Sequence, residues 1–341
     1  MARPFKFIMM LTIVAGPLCA DPPSLPASYP PMSNAAADDM AKTYAYCSGQ
    51  RISVEWLSTK FPEMKADLFN AQQQFDIRFG VAVSAIDAIL AKENTQWEQG
   101  RQPFLAKLRS DTESASVSEQ DARAFLQEVE ARSKGTLPSP FLETLLIYHP
   151  EFLREPPGEF SRGYRRTMEL GGHAKAEGLS IRLQVPQSWR IDEGNHPHVV
   201  GKATNENGRG NAIAMLLVRR LPLPDTYVSS KDDLDEMFGE PGIHDLLSPN
   251  MSERSSKRIT LETLPGAMIE MDFHESRLGQ EFVGRGVMFV VIFKNKLVFL
   301  QCIVAVPIER RADVEMLFDR YSGVFRQIGN SIVIRDKWMQ P

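Results

Sequence analysis

Residues 286–306 read GVMFVVIFKNKLVFLQCIVAV, and this stretch decides the fold class. Two apolar runs flank the polar tripeptide Lys294-Asn295-Lys296. A membrane-spanning helix needs about 20 mostly apolar residues, so charges at this point argue against one. The pattern instead predicts a β-hairpin, with strands at Gly286–Phe293 and Leu297–Val306 joined by a tight turn. Because both strands are apolar on both faces, we expect other elements to cover both sides of their sheet.

The sequence around this hairpin contains further strand and helix patterns. Leu179–Val185 alternates strictly between apolar and polar residues and ends at Pro186, which predicts a strand with one buried face. Other strands are expected at Ala212–Val218, Ile259–Leu264, Ala267–Phe273 and Ser331–Ile334, and helices at Lys231–Phe238 and Arg311–Ile328. The longer helix has one apolar stripe, formed by Val314, Leu317, Phe318, Tyr321, Val324, Phe325 and Ile328. Residues 160–341 are therefore expected to form a mainly antiparallel sheet flanked by helices, an α+β fold.

Residues 35–154 have a helical period instead. Ser118 followed by Asp121 is typical of a capping box at a helix start, and Pro140–Phe152 predicts one more helix. The paired prolines of residues 155–159 predict the boundary with the sheet region. A long helix is indicated by apolar residues at steps of three and four, namely Leu68, Phe75, Phe79, Ala82, Val83, Ile86, Ile89 and Leu90. The sum is a small bundle of four or five helices.

The heptapeptide Leu183-Gln184-Val185-Pro186-Gln187-Ser188-Trp189 resembles the opening of the PsbP-like and Mog1-like domain family. The later order of a long apolar hairpin, an amphipathic helix and a closing strand is also similar to that family, over about residues 164–335. The resemblance implies an α/β/α sandwich and a non-enzymatic domain that binds or supports protein assemblies. It carries over no catalytic residues, and Trp189 matches a structural position. The helical half has no counterpart in the family.

The N-terminus resembles a cleavable secretory signal. Residues 1–20 combine Arg3 and Lys6 with a short apolar run and a small-residue exit, so we expect cleavage near Ala20. Residues 21–34, which are rich in Pro, Ser and Ala, are expected to be a flexible tether. A lipid anchor on Cys19 is disfavoured because the bulky Leu18 precedes it. The sequence thus predicts a periplasmic or secreted protein with no transmembrane segment after signal removal.

Charge and motif content narrow the ligand classes. The chain has 39 Lys and Arg against 43 Asp and Glu, a net charge of −4 at pH 7, and so offers no basic footprint for nucleic acid. Phosphate-loop, calcium-loop, zinc-protease and serine-hydrolase signatures are missing from the sequence. We therefore expect no cofactor and no metal, whereas a protein partner is what the resemblance to the PsbP-like family implies.

Two cysteines remain after signal removal, Cys47 and Cys302. In an oxidising compartment they could form a disulfide between the two halves of the chain. The alternative is a pair of buried free thiols, since Cys is among the most often buried residues. The sequence leaves both open.

The most concentrated set of chemically useful side chains is Glu270, Asp272 and His274. A strand period of two places them on one face, where they could hold a metal or divide acid and base roles. The alternative is the solvated face of an amphipathic strand.

Three functions stay open on this basis. The first is an exported non-enzymatic envelope protein that acts as a protein-binding or assembly factor. The second is a periplasmic immunity or inhibitor protein against a secreted toxin. The third is a hydrolase or metal-dependent enzyme that uses Glu270, Asp272 and His274.

Overall fold

A computed structural model describes residues 33–339, except 195, 197 and 278. The predicted signal sequence and most of the predicted tether lie outside these residues. The first described residue, Ser33, is an N-cap whose side chain accepts a hydrogen bond from the Ala36 N–H, at 3.1 Å. Such a cap satisfies one of the free backbone donors at a helix start.

The first half of the described chain is helical, as the sequence period predicts. Its helices are α1 (Asn34–Lys60), α2 (Lys65–Phe75), α3 (Val81–Glu93), α4 (Thr95–Glu113), α5 (Glu119–Ser133), α6 (Phe141–Ile147), α7 (Pro150–Arg154) and α8 (Pro157–Ser161). A π-helical turn, Asp76–Gly80, joins α2 to α3, so the two form one rod. Most of the predicted stripe on this rod is buried, whereas Val83 is half-buried.

Proline accounts for two differences from the sequence prediction. The single helix expected at Pro140–Phe152 is divided into α6 and α7, because Pro150 lacks the N–H that would continue it. Pro157 begins α8 instead of ending all helix, since proline is tolerated at the first position of a helix. The capping box of Ser118 and Asp121 is confirmed at the start of α5.

The second half is built on antiparallel strands, which confirms the predicted α+β class. The strands are β1 (Arg165–Glu169), β2 (Ile181–Pro186), β3 (Arg190–Glu193), β4 (Val199–Thr204), β5 (Ala212–Arg220), β6 (Met251–Leu261), β7 (Leu264–Arg277), β8 (Gln280–Phe293), β9 (Lys296–Pro307) and β10 (Val333–Ile334). Within the described residues, seven strands form a sheet in the order β3-β4-β5-β9-β8-β7-β6, and β1-β2-β10 form a smaller one. The predicted hairpin is β8–β9, at the centre of the large sheet.

One strand prediction had the wrong bounds, because Ile259–Leu261 end β6 and Leu264 begins β7. The segment Ile259–Leu264 contains the turn between β6 and β7, in which Glu262 and Thr263 have φ of 54° and 61°. Apolar residues on both sides of the turn conceal it in the sequence. Most of β6 was missed because its residues are polar and exposed on both faces.

Helices cover both faces of the large sheet, as the two-sided apolar strands predict. Helix α11 (Val314–Asn330) packs on one face, and its predicted apolar stripe is buried there in full. Helices α9 (Lys231–Met237) and α10 (Glu240–Leu246) contribute to the hydrophobic cluster on the other face. None of the helices among the described residues is both long and apolar enough to cross a bilayer.

Polar contacts join the helical region to the sheet region. The Arg166 guanidinium on β1 lies 2.6 Å from the buried Glu143 carboxylate of α6. Arg209, in the turn after β4, lies 2.7 Å from Asp39 of α1. Arg320 of α11 donates to the carbonyl oxygen of Leu153. These contacts fix the geometry of the surface where the two regions meet.

Candidate functional site

Asp272, one of the predicted site residues, forms ion pairs with two arginines. Its oxygens lie 2.9 Å from Arg254 on β6 and 3.0 Å from Arg285 on β8. Burial opposes ionisation of Asp272, but the hydrogen bonds from both guanidinium groups outweigh burial and lower its pKa. Arg285 continues the network to Glu315 on α11, at 3.0 Å. Asp272 therefore ties three strands and a helix together.

The other two members of the predicted set do not join Asp272 in a site. His274 is exposed and lies 2.5 Å from Glu281 on the neighbouring strand. Glu270 is half-buried and faces Val287 across the β7–β8 ladder. Among the described residues, no group of three or more His, Cys, Asp or Glu side chains has a geometry suited to a metal ion.

The cysteines and Trp189 lie in hydrophobic clusters. Cys47 and Cys302 are free thiols, and they belong to two different clusters, one in the helical region and one under α11. Burial raises the pKa of Cys47 to about 12, so this thiol is protonated and unreactive at neutral pH. Trp189 is buried and lies edge-on to Tyr321, with ring centroids 6.3 Å apart.

A different set of side chains meets in a cleft of about 620 Å³ between the helical region and the start of the sheet region. Its walls carry Arg78, Lys134, Arg162 and Arg165, and we call it the basic cleft. All four side chains are exposed. A volume of this size suits a small molecule or a short protein segment.

Special backbone geometry places these cations. Arg78 lies in the π-helical turn, an irregularity that is frequent at functional sites. Lys134 follows the end of α5 and precedes Gly135, whose φ of 96° favours glycine. Gly163, with φ of 89°, turns the chain between Arg162 and Arg165.

The basic cleft has an excess of positive charge. Arg162 forms an ion pair with Glu151, whereas Arg78, Lys134 and Arg165 form none within the described part of the chain. Unpaired like charges in one concave surface repel each other and attract an anion. The cleft thus contrasts with the net negative charge of the chain.

His149 lies in the wall of the basic cleft with an unused hydrogen-bonding atom. It is 8% exposed, its ring stacks on Phe152 at 4.5 Å, and it hydrogen-bonds to the backbone of Arg78. Its Nδ1 has no partner. Burial lowers the pKa of His149, so the ring is neutral at neutral pH and its buried Nδ1 is an acceptor. A buried unsatisfied polar atom costs free energy unless a ligand completes it.

Aromatic rings form the base of the cleft. The Tyr164 ring lies 6.3 Å from that of Phe79 and 5.9 Å from that of Phe152. Burial raises the pKa of Tyr164, and the Arg78 side chain hydrogen-bonds to its hydroxyl. The base is therefore aromatic, while the rim is cationic.

A buried carboxyl group supports the cleft from behind. Glu159 of α8 accepts hydrogen bonds from the N–H and the hydroxyl of Ser188, both at 2.7 Å. Ser188 follows Gln187, which lines the cleft. Burial raises the pKa of Glu159 to about 7 against the opposing effect of these hydrogen bonds.

Sequence reasoning missed this site because its residues come from five separated segments. One signal was present in the run Arg162-Gly163-Tyr164-Arg165-Arg166, where basic residues surround an aromatic one. Exposed residues such as Arg78 and Lys134 follow no period that would single them out.

Comparisons with known proteins give a distant likeness. No family model matches the chain, and no curated protein matches it. The solution structure of cyanobacterial PsbP (CyanoP) from Synechocystis sp. PCC 6803 is similar, with 12% identity and a TM-score of 0.30, over 49% of this chain and 92% of that one. The crystal structure of LpqN, involved in cell envelope biogenesis of Mycobacterium tuberculosis, is similar with 13% identity and a TM-score of 0.28, over 51% and 93%. Likeness at this level does not define a shared activity.

Proposed function

We propose that this chain is an exported, non-enzymatic envelope protein that binds an acidic segment of a partner protein in the basic cleft. The observation that carries the proposal is the set of three cations in the cleft without a carboxylate partner among the described residues. The signal-like residues 1–20 support export.

Two further features favour a binding role. The aromatic base of the cleft offers apolar contact to an occupant. Complementary charge around such a surface favours recognition and fast association. Asp272 and His274, by contrast, are taken up by ion pairs with neighbouring strands.

The test reverses the charge of the cleft. Tagged wild-type protein and the double variant Arg78→Glu/Arg165→Glu are expressed in the native host, and envelope extracts are crosslinked and purified. We expect a stoichiometric partner with wild type and its loss with the double variant, because reversed charge repels an acidic segment.

The matched control is Arg219→Glu/Lys231→Glu, which makes the same charge change at exposed positions outside the cleft. It should retain the partner. Recovery of free monomer only from wild type, or equal recovery from both double variants, contradicts the proposal.

A further inference from the structure

The rod formed by α2, the π-helical turn and α3 exposes an almost uncharged face. Of the exposed side chains between residues 69 and 88, only Arg78 is charged, while Asp76 and Asp87 turn away and pair with Arg51 and Arg101. The neighbouring α5 is a contrasting case, because its exposed residues include Glu119, Asp121, Arg123, Glu128 and Glu130. Depletion of charge is typical of the centre of a protein interface.

Large apolar side chains mark this face. Phe69 is 62% exposed, Ile77 69% and Val81 53%. They lie eight and four residues apart along the rod, and the wider π-helical turn between Phe69 and Val81 offsets the drift of the α-helical period and keeps them on one side. At a rise of about 1.5 Å per residue they span about 18 Å, the length of roughly three helical turns.

The apolar row runs directly beside the basic cleft. Ile77 and Val81 line the cleft together with Arg78. One continuous surface therefore presents an apolar strip with cations along its side.

We propose that the acidic segment is an amphipathic helix, which lies along the rod with its apolar side on Phe69, Ile77 and Val81 and its carboxylates on the cations of the basic cleft. This inference rests on the proposed function and adds the conformation of the bound segment. The backbone groups of the rod are bonded within its helices, so the rod offers no edge to an extended strand. A helix recognised by apolar anchors at steps of three and four residues fits such a surface.

The test uses two fluorescent peptides of identical composition, each about 16 residues of Leu, Ala, Gln and Glu, which is roughly four helical turns. One has Leu on a single helical face with Glu at its border, and the other has the same residues distributed around the helix. Fluorescence anisotropy measures the Kd of each for the purified protein. We expect the amphipathic peptide to bind at least about tenfold more tightly.

Variants locate the contact. Ile77→Ser/Val81→Ser should weaken binding of the amphipathic peptide about tenfold and leave the redistributed peptide unaffected, because exposed apolar anchors supply most of the contact energy. The control Val228→Ser/Met316→Ser changes two exposed apolar side chains elsewhere and should bind as wild type. Circular dichroism verifies that each variant is folded.

The outcomes separate this inference from the proposed function. Suppose that both peptides bind with equal affinity and that Arg78→Glu/Arg165→Glu abolishes this binding. This result supports an acidic segment but overturns its helical form. Lack of binding by either peptide also overturns the helix. The other possible occupant of the rod is a second copy of this chain, and sedimentation velocity tests for such a dimer. A dimer that Ile77→Ser/Val81→Ser abolishes would overturn the helix proposal.

Discussion

Glu159 is a carboxyl group held in an apolar setting, and its protonation is linked to folding. Burial raises its pKa to about 7, from an ordinary value of 4.5. The folded chain therefore binds this proton more tightly than the unfolded chain does. The resulting stability is fully present below pH 4.5 and is lost as pH rises through 7. Burial raises the pKa of Glu206 to about 7 as well, so both groups act in the same window.

Glu159→Gln should remove the part of this pH dependence that Glu159 contributes and leave the part from Glu206. A shift of this size corresponds to a contribution on the order of 3 kcal/mol between pH 4.5 and 7. The amide oxygen can still accept from the Ser188 N–H while the amide nitrogen donates to its hydroxyl, so the fold should persist. The free energy of unfolding from urea titrations at pH 5 and pH 8 measures the effect. An unchanged difference between the two pH values in the variant would show that Glu159 is not buried as described.

The contacts of individual side chains were the part of the site that the sequence predicted least well. His149 has an unpartnered nitrogen only because α6, α7 and the π-helical turn bring Phe152 and the Arg78 backbone against it. Nothing in the sequence next to His149 indicates those neighbours. For Asp272 the strand period was predicted correctly. Its two arginine partners come from the adjacent strands, however, and the local sequence does not indicate them.

At the scale of single elements, prediction succeeded where the signal is local and apolar. The β8–β9 hairpin and the stripe of α11 are confirmed, because a run of buried residues fixes both the period and the buried face. It failed for β6, which is polar on both faces, and at the Glu262-Thr263 turn, which lacks glycine or proline. These two segments have no sequence signal that separates strand from loop.

Gly284 of β8 tests the packing of the central strands. A Cβ at this position would overlap the Phe273 ring and the carbonyl oxygen of Val304 on the adjoining strands. Gly284→Ala should therefore lower the free energy of unfolding by about 2–3 kcal/mol, since overpacking forces strands apart.

The control is Gly100→Ala in α4, where a Cβ would meet nothing within 4 Å. Alanine is the better helix former, so this variant should be more stable than wild type by up to about 1 kcal/mol. Urea unfolding measures both. Equal stability of the two variants would contradict the close approach of β7, β8 and β9 at Gly284.

At the scale of the whole molecule, the basic cleft exists because two regions meet. Arg78 and Lys134 come from the helical region, whereas Arg165 begins the strands. Two ion pairs, Arg166–Glu143 and Arg209–Asp39, connect these regions. Sequence patterns predicted each region separately, but the cleft depends on long-range packing that no local period encodes.

Site-specific photo-crosslinking in living cells tests the central claim most directly. A photoreactive amino acid replaces Gln74, which is exposed and lines the cleft, or Arg219, which is exposed outside it. If the partner binds in the cleft, position 74 gives one discrete adduct and position 219 gives none. The adduct from position 74 is lost when Arg78→Glu/Arg165→Glu is added. An adduct of equal yield from both positions, or one that survives the charge reversal, would contradict binding through the basic cleft.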